Sequence, residues 1–248
     1  MTLREWKDPL GQPVPSVTTE QMREVDRAMV SDHGIQLIQM MELAGRHLAH
    51  VVRDRFLHGD PARAMVLVLA GTGGNGGGAL VAARRLHAWG ARVRVITAAP
   101  PDAYSGVPLH QLETLARLRV PTTPWDEAAA IRTPNVVVDG VIGYSLAGAP
   151  RGGAATMIRW THGTSAPVVS LDVPSGLDAT TGVPAEPTVL AAATLTLALP
   201  KTGLGNPDAA DHVGDLYVAD IGVPPGVYLP MGLDVGPVFA ETDVVQLR

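Results

Sequence analysis

The sequence predicts an α/β fold: one domain with a mostly parallel β-sheet covered on both faces by helices. Three observations predict it. Short unbroken runs of branched apolar residues recur along the chain, as strands buried on both faces require. Segments of helical period alternate with them. The first of these strands runs straight into a glycine-rich loop that opens a helix, in the stretch Met65 to Leu86, MVLVLAGTGGNGGGALVAARRL. The other elements are arranged around that stretch.

Taken in order, residues 1–16 are polar and contain prolines, and read as a loose arm before a single domain over 17–248. Thr18 starts a helix. Gln21 lies three residues on, which makes a capping box, and Val17 is placed to staple onto Met22. Met22, Val25 and Met29 form an apolar stripe; Asp26 beside it reads as a solvated acid. His33-Gly34 ends this helix. A second helix runs from about Gln36 to Phe56, with Leu37, Met40, Met41, Ala44, Leu48 and Val52 on one face, its methionines read as core. Strands follow at 65–70, 92–97, 135–139, 167–172, 193–199 and 215–219. Helices follow at 79–89, 108–118, 126–132 and 152–161. After Pro224 the pattern assigns no element.

The composition removes several classes of function. With 248 residues, 46% of them hydrophobic, the chain can bury a sizeable aliphatic core. A net charge of -5 argues against general nucleic-acid binding, which needs a basic face. The absence of cysteine excludes disulfides, thiol catalysis and cysteine-ligated metals. The start, MTLREWKDPLGQPVPS, has no apolar signal core, and no apolar run approaches the ~20 residues of a membrane span. The expectation is a cytoplasmic protein with neither nucleic acid nor membrane as partner.

Six glycines, interrupted by Thr72 and Asn75, follow the first strand. Glycines let backbone N–H groups approach a ligand, and the helix N-terminus behind them favours negative charge, so a phosphate-bearing small molecule is the expected ligand. Gly71, Gly73 and Gly76 match G-x-G-x-x-G. The dinucleotide fingerprint also needs an acid at the end of the next strand, and here Asp102 lies beyond Pro100 and Pro101, which disfavours an ordinary nicotinamide dehydrogenase. No Gly-Lys-Ser/Thr follows, so the P-loop is absent. The alternative for this stretch is a tight turn without a ligand.

Three more strand ends carry chemistry. The run 135–140 delivers Asp139, followed by a glycine-punctuated loop over 143–152. The run 168–172 delivers Asp172, followed by Pro174-Ser175-Gly176. The run 194–201 delivers Lys201. Singly these read as a turn cap, a helix cap and a solvated lysine. Together they converge where α/β sheets bind ligands, beyond the carboxyl ends of the strands. Ser175 is not in a nucleophile elbow, and no pair of histidines has zinc-ligand spacing on a helix. Asn75, Asp139 and Ser175 offer oxygen ligands for a hard cation such as K⁺, Na⁺ or Mg²⁺. Asp172 is placed for acid–base work.

These motifs resemble the YjeF N-terminal domain family, the NAD(P)H-hydrate epimerases. Four segments carry the resemblance: Thr18 to Gly45, Gly71 to Leu86, Asp139 to Gly152, and Leu171 to Asp178 with Thr181-Gly182 and Leu199-Pro200-Lys201. It spans residues 17 to 223. It implies a Rossmann-like three-layer αβα sandwich with an N-terminal helical extension. It also implies an isomerase of cofactor repair that interconverts the R and S forms of NADHX and NADPHX. A separate dehydratase then acts on the S form, and a homodimer through the N-terminal helices is implied as well. Carried over by position, Asn75, Asp139 and Ser175 match the family's potassium ligands. Gly74, Asn75, Gly76, Gly77 and Gly78 match one substrate-contacting loop. Gly143, Tyr144, Ser145, Leu146, Ala147, Gly148 and Ala149 match the other. Asp172 matches the substrate-contacting acid and is nominated as catalytic, with Lys201 second.

The chain departs from the family pattern in three places. The common N-N-G-G-D-G keeps only one Asn here, Asn75, with Gly74 in place of the other. Leu43 stands where the family has Asn. Gly78 stands where the family loop has Asp, which removes an acid and is read as leaving extra room beside the ligand. Two alternative functions therefore stand beside the epimerase: a binding protein for a nucleotide-like ligand, and a catalyst of another small-molecule isomerisation or cyclisation.

Overall fold

A computed structural model describes residues 3–127 and 133–248. The chain opens with a hairpin of β1 (Trp6–Lys7) and β2 (Pro13–Val14). The expected loose arm is therefore not loose. Trp6 and Val14 are buried, and the Lys7 backbone exchanges two hydrogen bonds with Arg248. Burial of an indole outweighs the polar composition around it.

Next come α1 (Thr19–Arg27), continued by a π-helical turn over Ala28–Asp32, and α2 (Leu37–Val51), continued by another over Val52–Phe56. The Thr18–Gln21 capping box forms in both directions. Met22, Met29, Met40 and Met41 are buried within this chain. The methionine stripe is therefore covered by this chain's own packing.

The remaining elements alternate as expected: β3 (Met65–Ala70), α3 (Gly74–Ala88), β4 (Arg92–Thr97), α4 (Gly106–Arg117), β5 (Thr122–Pro124), β6 (Val136–Gly140), α5 (Gly152–Thr161), β7 (Val168–Leu171), β8 (Ala193–Leu197), α6 (Ala210–Val213), β9 (Asp215–Ala219) and β10 (Val244–Gln246). The helix expected over 126–132 falls mainly outside the described residues, with a 3-10 turn at Trp125–Glu127. Strands β5 and β10 were not foreseen. Each is three residues long and too short to carry a period.

Among the described residues the main sheet runs β10-β9-β8-β7-β6-β3-β4-β5, with every neighbour parallel except β10 on β9. The chain starts in the middle at β3, goes outward through β4 and β5, then returns to place β6 on the other side of β3. That reversal opens a crevice at the carboxyl ends of β3 and β6. Alternation along β3 feeds two cores. Val66, Val68 and Ala70 pack with Leu48, Leu80 and Leu86 on the α2–α3 side. Leu67 and Leu69 pack with Met157 and Ile158 on the α5 side. The result is the expected three-layer sandwich. No described helix is long and apolar enough to cross a membrane.

Candidate active site

A cavity of about 410 Å³ lies at the crevice. Its floor is the carboxyl edge of the sheet: Thr72 to Asn75 after β3, Val141 to Ser145 after β6, Asp172 after β7, and Leu197 and Lys201 at the end of β8. Its wall is helical, with Met22 and Asp26 from α1 and Leu37 and Met41 from α2.

The glycine stretch is a strand-to-helix junction with less loop than expected, because α3 already starts at Gly74. Gly71 is needed for close approach: a Cβ there would lie 1.9 Å from the Val141 carbonyl oxygen. Gly73 caps α3 without a side-chain acceptor, so the first-turn N–H groups face the cavity uncapped. They and the helix dipole favour an anion there.

Two neighbouring strands end in the same strained way. The Val173 N–H donates to Leu171 O, and the Leu199 N–H donates to Leu197 O. Each is a γ-turn hydrogen bond around a residue with positive φ, Asp172 at 67° and Ala198 at 64°. Such turns are rare and cost energy. The first aims the Asp172 carboxylate along the floor. Its Oδ2 accepts from the Tyr144 N–H at 2.9 Å, and its Oδ1 meets Lys201 Nζ in an ion pair. Lys201 is fully buried, and its ammonium also donates to Leu197 O at 2.8 Å and to Thr196 Oγ1 at 3.3 Å. The residues expected as turn cap and solvated lysine are thus one buried pair.

Asp139 has a different setting. It is fully buried, and its carboxylate accepts from Ser175 Oγ at 2.6 Å, the Ser175 N–H at 2.9 Å, Ser170 Oγ at 2.8 Å and the Val141 N–H at 3.2 Å. Burial pushes this carboxyl above the usual range, against the pull of those bonds. Ser175 Oγ in turn accepts from the Ile142 N–H at 2.8 Å. Asp139 therefore ties the β6 loop to the Pro174-Ser175-Gly176 turn. Asn75 and Asp172 both flank Gly143: a Cβ there would lie 3.2 Å from Asn75 Cγ and 3.0 Å from Asp172 Oδ2.

Asp26 is the residue that the sequence reading missed. It is not a free surface acid. The Tyr144 phenol donates to its Oδ2 at 2.5 Å, and burial pushes its carboxyl above the usual range. The signal was present in the spacing: Met22 and Asp26 are four apart and share one helix face. Met22 and Met41, read as core, also line the cavity.

Other expected contact residues lie elsewhere. Gly76, Gly77 and Gly78 are buried in α3 and do not line the cavity, nor do Leu146, Ala147, Gly148 and Ala149. Gly78 leaves no extra room. A Cβ there would be 2.7 Å from Leu171 Cδ2, in a contact that also holds Ala44 and Met41. The lost acid is replaced by close packing of α3 on the sheet and α2.

The family model described as YjeF-related protein N-terminus matches residues 37–203. An NAD(P)H-hydrate epimerase of Dehalogenimonas lykanthroporepellens is 43% identical over 90% of this chain and 88% of its own length. One from Limosilactobacillus reuteri is 34% identical over 82% of this chain and 94% of its own. A bifunctional NAD(P)H-hydrate repair enzyme Nnr of Salinibacter ruber is 34% identical, and the match spans 42% of that longer protein. The crystal structure of yeast ynu0 superposes with a TM-score of 0.80 at 24% identity, over 94% of this chain and all of the other, and shares the fold. The chain belongs to the family of YjeF-related protein N-terminal domains.

Proposed function

We propose that this protein is an NAD(P)H-hydrate epimerase, an isomerase that interconverts the R and S epimers of NADHX and NADPHX. One observation carries the reading: a buried Asp172–Lys201 pair and the uncapped N-terminus of α3 share one cavity. The first can move a proton at a ring substituent, and the second can hold a phosphate. The relatives named as epimerases, matched over most of their own length, support the substrate class.

The hydrated carbon carries both a ring nitrogen and a hydroxyl. Proton delivery to the hydroxyl lets the nitrogen lone pair expel water and leaves a planar iminium-like carbon. Water then adds to the other face and gives up a proton. Asp172, held by the Tyr144 N–H and by Lys201, is the acid/base at the floor, and Lys201 balances its charge. Met22, Leu37 and Met41 supply an apolar wall for the ring.

A potassium ion belongs to the same proposal, at Asn75, Asp139 and Ser175. Two features fit it. All four partners of the buried Asp139 carboxylate are neutral, so its charge lacks a counter-ion among them. Among the described residues the buried Asn75 Nδ2 has no partner, and an amide turned over would present its oxygen there. When bound, the ion supplies positive charge beside the anion-binding end of α3. Gly78 itself faces Leu171, Ala44 and Met41.

The test is to incubate the protein with (R)-NADHX, with and without K⁺, and follow the approach to epimer equilibrium by chromatography above the spontaneous rate. Acceleration that Asp172→Asn abolishes and Ser175→Ala makes more K⁺-demanding is the expected result. Binding of NADHX without acceleration would reject the catalytic reading.

A further inference from the structure

An acid/base on one side of a planar carbon reaches directly only the oxygen on that side. The hydroxyl leaves from one face and water returns to the other, so proton transfer is needed on both. Asp172 and Lys201 belong to the floor. The other carboxyl of the cavity, Asp26, belongs to the helical wall, on a different element. Tyr144 spans the two: its backbone N–H holds Asp172 and its phenol holds Asp26. The two carboxylates are thus kept apart by the length of a tyrosine, and a flat ring entering between wall and floor presents one face to each. This inference rests on the epimerase reading and extends it.

We infer that Asp26 is a second catalytic acid/base, serving the ring face turned to α1, while the Asp172–Lys201 pair serves the face turned to the sheet. In one direction protonated Asp26 gives its proton to the departing hydroxyl, the carbon–oxygen bond breaks, and water leaves with the bonding pair. A second water forms the new carbon–oxygen bond from the floor side and gives its proton to the Asp172–Lys201 pair. The reverse reaction starts with the proton on the floor. No oxidant or reductant is involved, and the net change is one proton moved from wall to floor. Burial of Asp26, which raises its carboxyl above the usual range, favours the protonated form that this step needs. The groups that influence it are Tyr144, Lys201 and Asp172 across the cavity; Asp26 in turn acts on the buried Tyr228 of the C-terminal segment, and Arg23 on its own helix acts on Tyr144.

Oxygen-18 exchange separates this role from a structural one. Each pure epimer of NADHX is incubated in [¹⁸O]water, and label uptake at the hydroxyl is followed by mass spectrometry beside epimerisation. In Asp26→Asn, epimerisation falls by about 10²–10⁴. One epimer still exchanges its oxygen within a few-fold of wild type, because water can leave and return on the floor side. The other epimer does not. Asp172→Asn gives the mirror image, retaining exchange from the opposite epimer. A variant that exchanges at near the wild-type rate is folded by that measurement. If Asp26→Asn does not fold, Tyr144→Phe serves in its place. It keeps both carboxyls and loses the tether, and is expected to slow exchange several-fold from the Asp26-side epimer alone. Equal losses from both epimers, or wild-type epimerisation in Asp26→Asn, would overturn the inference. A wild-type protein that neither exchanges nor epimerises would instead overturn the epimerase reading itself.

Discussion

The Asp172–Lys201 pair allows a quantitative test of how the site is held. Lys201→Met removes a fully buried ammonium and leaves Asp172, 3% exposed, with the Tyr144 N–H as its one partner among the described residues. Breaking a buried ion pair from one side typically costs about 3–5 kcal/mol, because a desolvated charge is left unpaired. Asp172→Asn breaks it from the other side and leaves the ammonium with Leu197 O and Thr196 Oγ1. Asparagine tolerates φ of 67°, so that variant isolates the charge without new backbone strain. In a chain of this size each kcal/mol moves Tm by about 2–4 °C, so each single variant should melt roughly 6–20 °C lower. The double variant Asp172→Asn/Lys201→Met leaves neither charge stranded. It should cost less than the sum of the singles by about 2–3 kcal/mol, within the usual range for residues in contact. The assay is urea unfolding of all four proteins, with Tm as a cross-check. Additive losses, or single losses under about 1 kcal/mol, would refute the claim that this pair is desolvated and mutually compensating.

Three other predictions follow from the same geometry. Gly78→Asp should lose about 1–3 kcal/mol in urea unfolding and gain no epimerase activity, because it would set an unpaired carboxylate among Leu171, Ala44 and Met41. Trp6→Ala should lose about 3–5 kcal/mol and expose the N-terminal residues to limited proteolysis, since Trp6 is buried at the hairpin. Asp26 has a carboxyl pushed up by burial, so it contributes stability below about pH 4 that is lost as pH rises through its folded value. Thermal melts of wild type and Asp26→Asn from pH 4 to 8 should therefore show the wild type losing ground as pH rises; a constant or opposite difference would contradict the assignment.

Much of the architecture was legible because its signals are local. The buried run at 65–70 and the capping box at Thr18 depend on neighbours a few residues away, and both form as read. The elements that escaped depend on distant partners. Strand β10 exists because β9 offers it an edge, and the hairpin at the start is held through Arg248 at the far end of the chain.

The site divides in the same way. Local sequence alone placed Asp139, Asp172 and Lys201 at strand ends and Asn75 at the opening of a helix. Residue type and position in a β-to-α unit determine that much. Only the tertiary structure decided that Asp172 and Lys201 are one pair, that Asp139 is a buried knot, and that Asp26 faces the cavity. Each of those facts is a contact across tens of residues or more, created by strand order and by the packing of α1 over the sheet edge. Gly78 shows the same limit at a single position. As a letter it is a missing acid; in the fold it is the spacing between α3 and Leu171, because packing density decides what a missing side chain means.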